Sequence, residues 1–155
     1  TKPFEALELK IRIKNLIDQR QALRERFQRE FSLIPSDMDI SSMDKQFLKL
    51  AVKIISDQLD DPEFKVDTFS RKIHMSRQQL NRKLKALTGK TALEFIRLTR
   101  LKRAALLLGN NHASITEIAY QVGFSNPSHF SRSFHEEFGK TPSAFISEQD
   151  ELAKK

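Results

Sequence analysis

Apolar positions along this chain recur at helical spacing, and no alternating strand pattern runs beyond a few residues. From about Glu5 to Glu30, the residues Leu9, Ile13, Leu16, Leu23 and Phe27 fall at 4-3-7-4 spacing, a heptad seam interrupted by Arg20. Pro35, Ser36, Asp37 and Asp39 mark a loop. A helix over about 44–59 is predicted next, with Phe47, Ala51, Ile54 and Ile55 on one face and Ser41, Ser42 or Asp44 as its cap. Asp60-Asp61-Pro62 stops it. A long helix is expected over about 91–108, apolar at Leu93, Phe95, Ile96, Leu98, Leu101, Ala104, Ala105 and Leu108. A last helix over about 142–148 closes the set. The predicted class is all-α.

An internal repeat organises the second half of the chain. Val66–Ile73 aligns with Ile115–Val122, 49 residues on, and Met75-Ser76 aligns with Phe124-Ser125. One extra residue then enters the second copy, and the offset becomes 50: Leu80 aligns with Phe130, Arg82 with Arg132, Leu84 with Phe134, Gly89-Lys90-Thr91 with Gly139-Lys140-Thr141, and Phe95-Ile96 with Phe145-Ile146. Each copy reads as a short helix (66–73, 115–122), a tight turn and a second helix (77–88, 127–138). Gly123 suits a turn position needing positive φ, and His74 holds the equivalent place. Ser76 and Ser125 or Asn126 are natural N-caps, and Gly89 and Gly139 natural C-caps. Short helix, turn and second helix make a helix-turn-helix unit, here present twice and joined by the long helix.

Charge sharpens this picture. The whole chain of 155 residues carries +7, but residues 65–103 alone hold 12 Lys and Arg against 2 Asp and Glu, a net +10. Residues 104–155 net −2. The basic excess is therefore local, as expected for a polyanion partner, with nucleic acid first. That segment contains the second helix of copy one. There Leu80, Leu84 and Leu87 form the apolar stripe, and Arg77, Gln78, Asn81, Arg82 and Lys85 the opposite face. Arg pairs bidentately with guanine and Gln or Asn with adenine, while Lys holds phosphates. In copy two the stripe is Phe130, Phe134 and Phe138, and Asn126, Ser128, His129 and Arg132 face out. An adaptor that binds a partner protein through the first helix is the competing expectation, but an adaptor has no need of Gln78, Asn81 and Arg82 on one polar face.

Residues 44–147 resemble the DNA-binding domain of the AraC family of bacterial transcription activators. The second unit's pattern stands here as Ile115, Ile118-Ala119, Gly123-Phe124, Phe130-Ser131-Arg132, Phe134, Phe138-Gly139 and Thr141-Pro142. The resemblance implies two recognition helices laid into successive major grooves, about 34 Å apart. It places base readers at Gln78, Asn81 and Arg82, and at Ser128, His129 and Arg132 with Asn126 and Pro127 at the entrance. Arg77, Lys85 and Lys90 are the candidate phosphate contacts. One departure is that His135-Glu136-Glu137 follows Phe134, where the family often has basic residues. The resemblance also implies activation through RNA polymerase.

Thr1-Lys2-Pro3-Phe4 before an amphipathic helix resembles the end of a response-regulator receiver domain. Receiver tail plus AraC-type domain resembles hybrid two-component regulators, in which sensor, kinase, receiver and DNA-binding domain share one polypeptide. That implies upstream receiver and kinase domains, histidine kinase activity in the full-length protein, membrane anchoring of the whole and a cytoplasmic place for this portion. The seam at Leu9, Ile13, Leu16, Leu23 and Phe27 is the candidate homodimer contact. The expected layout is a receiver-derived helix over 1–30, a linker over 31–43, unit one over 44–90, a linker helix over 91–108, unit two over 109–148 and a tail over 149–155.

Other chemistries are disfavoured. Both Gly-Lys-Thr triplets lack the upstream glycine of a phosphate-binding loop and follow helices rather than strands. The four histidines include no i, i+4 pair on a helix, and cysteine is absent, so no metal and no cofactor are expected. No catalytic set can be argued from spacing. No apolar run reaches the ~18 residues of a membrane span, and no signal-peptide core opens the chain.

Overall fold

The computed structural model describes residues 41–110 and 113–154. The seam residues Leu9 to Phe27, the receiver-like tail and nearly all of the 31–43 linker lie outside them. Within the described residues the chain is helical throughout, with no strand.

Helix α1 (Ser42–Asp57) starts two residues before its predicted bound because Ser41 is the cap: its Oγ accepts from the Asp44 N–H at 3.1 Å. Leu48, Ala51 and Ile55 are its buried stripe. Phe47 and Ile54, expected on that face, flank it half-buried.

Unit one continues with α2 (Val66–Lys72) and α3 (Arg77–Thr88). The turn between them carries His74 at φ 59°. Both ends of α3 are encoded locally. Ser76 Oγ accepts from the Gln79 N–H and Gln79 Oε1 accepts from the Ser76 N–H, each at 3.1 Å, which satisfies two otherwise orphaned donors. At the other end Gly89 takes a left-handed φ of 75° and donates to the Lys85 carbonyl. Losing such a cap costs about 1 kcal/mol. Ser76→Ala is expected to lower unfolding free energy by about that amount in a urea titration, with unchanged slope.

Unit two repeats the plan with α5 (Ile115–Gln121) and α6 (Pro127–Phe138). The inserted residue has a clear role. The cap of α6 is Asn126 rather than Ser125, its Oδ1 accepting from the Ser128 and His129 N–H groups at 2.8 and 3.3 Å. Pro127 then opens the helix at a position that needs no N–H donor.

The linker helix α4 (Ala92–Asn110) runs two residues past its predicted end. The last helix, α7 (Pro142–Lys154), runs six residues past its predicted end at 148. No stop residue follows Ser147, and Gln149 is buried as α7 packs against α4.

Two cores result, and α4 contributes to both. Its first turns, through Phe95 and Ile96, pack with Leu48, Phe69, Leu80 and Leu84 of unit one. From Leu101 onward it packs with Ile118, Phe130, Phe134 and Phe145 of unit two. Thr99 and Arg100 occupy the seam, both buried. Leu93, expected on the apolar face, is 56% exposed.

Candidate nucleic-acid interface

The two recognition helices are oriented by what they bury. On α3, Leu80 and Leu84 are completely buried. With 3.6 residues per turn that leaves Gln78, Arg82 and Lys85 on the opposite, exposed face. Arg77 is exposed too and pairs with Asp67 at 3.1 Å. An exposed ion pair of this kind contributes at most about 1 kcal/mol, so the guanidinium can exchange its carboxylate for a phosphate.

Asn81 is placed differently. It is half-buried, and its Oδ1 accepts from the Ala92 N–H at 2.8 Å. The base-reading candidate thus ties α3 to the start of the linker helix, leaving its side-chain NH2 as the part available to another acceptor. The repeat explains the residue choice. Ala92 aligns with Pro142, which has no N–H to satisfy, and Asn81 aligns with Ser131.

On α6, Phe130 and Phe134 are completely buried, which turns Ser128, His129 and Arg132 outward. Arg82 and Arg132 hold equivalent places in the two units. The His129 ring rests against Phe124 at 5.5 Å between centroids. Asn126 is exposed but spends its carbonyl oxygen on the cap.

Lys90 has yet another setting. It lines a cleft of about 90 Å³ with Glu94, Arg97, Leu98, Leu101 and Glu137. The Thr91 hydroxyl and then its backbone N–H donate to Glu94 and hold that carboxyl below its usual range. Glu137, one of the two carboxylates that depart from the family pattern, faces this cleft. Burial holds the Lys102 ammonium below its ordinary pKa, with the Glu137 carboxylate opposing.

Sequence reasoning missed Arg100. Counted within the +10 segment as surface charge, it is 6% exposed. Its Nη1 donates to the carbonyls of Leu59 at 2.7 Å and Val122 at 2.8 Å, and its Nη2 to that of Asp61 at 3.0 Å. Burial pulls this guanidinium below its ordinary pKa, with the Asp61 carboxylate opposing. The only sequence signal was spacing: Arg100 stands four residues from both Ile96 and Ala104, on the apolar face of the helix. Among the described residues no cluster of three or more His, Asp or Glu side chains is placed to hold a metal. None of the described helices is long and apolar enough to cross a membrane.

Two outward polar faces at repeated positions, each fixed by a buried stripe and joined by one helix, define a tandem helix-turn-helix DNA-binding protein. Comparison with known proteins refines the class. A helix-turn-helix domain family matches residues 69–148. A transcriptional regulator from Chromobacterium violaceum, described as an AraC-type DNA-binding domain-containing protein, superposes with a TM-score of 0.64 at 27% identity, over 70% of this chain and 96% of that one. The HTH-type transcriptional activator RhaS of Shigella boydii is 38% identical over 95 residues, 61% of this chain and 34% of that protein. Histidine kinase P4 of Formosa agariphila is 43% identical over 145 residues, 94% of this chain but 11% of that protein. This chain thus spans a minor part of the length of the curated relatives it matches. It belongs to the AraC family of DNA-binding transcription regulators.

Proposed function

We propose that this chain is the output portion of a hybrid two-component regulator, and that it activates transcription by binding duplex DNA sequence-specifically through both units. The observation that carries the DNA-reading part is the outward placement of Gln78 and Arg82 on α3 and of Ser128, His129 and Arg132 on α6, at equivalent positions of a repeat. Gln78, Arg82, Ser128, His129 and Arg132 read bases, with Asn81 and Asn126 contributing the amide NH2 that their capping roles leave available. Arg77 and Lys85 hold phosphates. Lys90 is the weakest of the phosphate candidates, because Glu94 and Glu137 line its cleft.

The hybrid reading is supported by the reach of the similarity to histidine kinase P4, which covers 94% of this chain and so takes in much of the stretch ahead of the helix-turn-helix units. In that arrangement phosphotransfer belongs to upstream receiver and kinase domains, the whole protein is anchored in the cytoplasmic membrane, and this portion lies in the cytoplasm. The seam from Leu9 to Phe27 would pair two copies. Activation proceeds by contact with RNA polymerase, a role consistent with the name of the RhaS relative.

The two units divide the work. Unit one carries most of the basic excess, and unit two carries His135-Glu136-Glu137 where phosphate-gripping residues would be expected. Lys85→Ala is therefore expected to weaken binding to all sequences alike and to lower the salt slope by about 1. Arg132→Ala should lose about 1–3 kcal/mol on the best site and relax discrimination there, with a smaller change of slope. Titrations at several salt concentrations check this, and equal slope changes in the two variants would contradict it.

A further inference from the structure

We propose that Arg100 fixes the relative placement of the two recognition helices, and thereby selects which half-site spacing the protein accepts. The inference rests on the reading that both units contact DNA.

Arg100 sits in the middle of α4. It lies where α4 leaves the core of unit one and enters that of unit two. Its guanidinium holds two carbonyls of the loop after α1, those of Leu59 and Asp61, and one carbonyl of the α5–α6 turn, that of Val122. Those partners are 41, 39 and 22 residues away in sequence. A single planar, charged group therefore joins the body of unit one to the turn that aims the recognition helix of unit two. A lysine, with one ammonium on a flexible stem, cannot present the same fork. Any swing of unit two about α4 must pull the Val122 carbonyl off Nη1 and leave that buried acceptor unpaired, so the joint resists bending at the place where two separate cores would otherwise hinge.

Gly123 shows how close the approach is. A Cβ added there would lie 1.3 Å from Nη1 and 2.4 Å from the Leu59 carbonyl oxygen. The equivalent turn position of unit one, also at positive φ, keeps an exposed histidine side chain. The repeat departs from symmetry at the residue where the guanidinium passes.

Spacing selectivity follows from DNA geometry. One base pair added between half-sites moves the second by about 3.4 Å and rotates it by roughly 34°. A stiff pair of helices cannot follow that displacement, whereas a hinged pair can.

The test measures affinity of the full chain for duplexes in which the distance between half-sites is varied one base pair at a time. The unsubstituted chain is expected to lose about tenfold or more one step from its optimum, which is about 1.4 kcal/mol. Arg100→Lys is expected to vary by less than about threefold across the same set, while each isolated half-site binds within about threefold of the unsubstituted value. A spacing preference as sharp in Arg100→Lys as in the unsubstituted chain overturns the proposal, as does an unsubstituted chain that binds both half-sites at any spacing. Should Arg100→Lys fail to fold by circular dichroism, spin labels decide. The chain has no cysteine, so Lys49→Cys on α1 and Ser143→Cys on α7, both exposed, can be labelled alone. One narrow distance without DNA supports the joint, and a broad distribution overturns it. An unsubstituted chain that ignores one half-site overturns the two-unit reading instead, and the label distances then judge the joint by themselves.

Discussion

Gly123→Ala is expected to destabilise the protein by about 3 kcal/mol or more, among the largest costs of any single methyl group here. Two penalties combine. The backbone sits at φ +90°, where a Cβ costs roughly 1–2 kcal/mol. The added carbon would also stand 1.3 Å from Arg100 Nη1 and 2.4 Å from the Leu59 carbonyl oxygen. Something must move, and the guanidinium cannot move without leaving the Val122 carbonyl, and with it the part-buried Leu59 carbonyl, unpaired, at about 1–3 kcal/mol each. Gly89 and Gly139 supply the control. They sit at φ +75° and +74° with nothing within 4 Å of an added Cβ, so their alanine variants should cost only the strain, about 1–2 kcal/mol. Urea unfolding of all three separates the contributions. Equal costs would mean that crowding against Arg100 is negligible.

Phe134→Ala should cost about 3–5 kcal/mol, the range for a buried phenylalanine truncation. Phe134 is completely buried, with Phe138, Phe145 and Phe130 ring centroids at 4.6, 5.5 and 5.8 Å. The cavity would open between α6 and α7. Because the two units have separate cores, the loss should fall on unit two first. Binding to a duplex with both half-sites should then decline to the affinity of the unit-one half-site alone, while that isolated half-site is bound as before. Parallel denaturation and half-site titrations check this. A uniform loss at both half-sites would mean that the cores unfold as one.

The legible parts of this protein are those whose determinants are local. Helices α3 and α6 occupy the predicted ranges to the residue, because a cap side chain and a left-handed glycine encode each end within one turn. Positive φ at His74 was readable only through the repeat, which set it opposite Gly123. Illegible features depend on distant partners. Burial of Arg100 requires three carbonyls from loops far away in sequence, and charge counting assigned it to the surface. The Asn81 cap on Ala92 joins two helices across a turn, so its polar position on α3 gave no hint of it. Nothing local marks the extension of α7 past 148: Gln149, Asp150 and Glu151 read as a polar tail, yet Gln149 is buried.

The central claim is that both helix-turn-helix units read DNA in sequence. Selection of bound sequences from a random duplex pool, with this chain at moderate salt, tests it most directly. The expected result is one enriched motif with two half-sites about one helical turn apart. Enrichment of a single half-site would contradict reading by unit two, and salt-sensitive binding without enrichment would contradict sequence-specific reading by either unit.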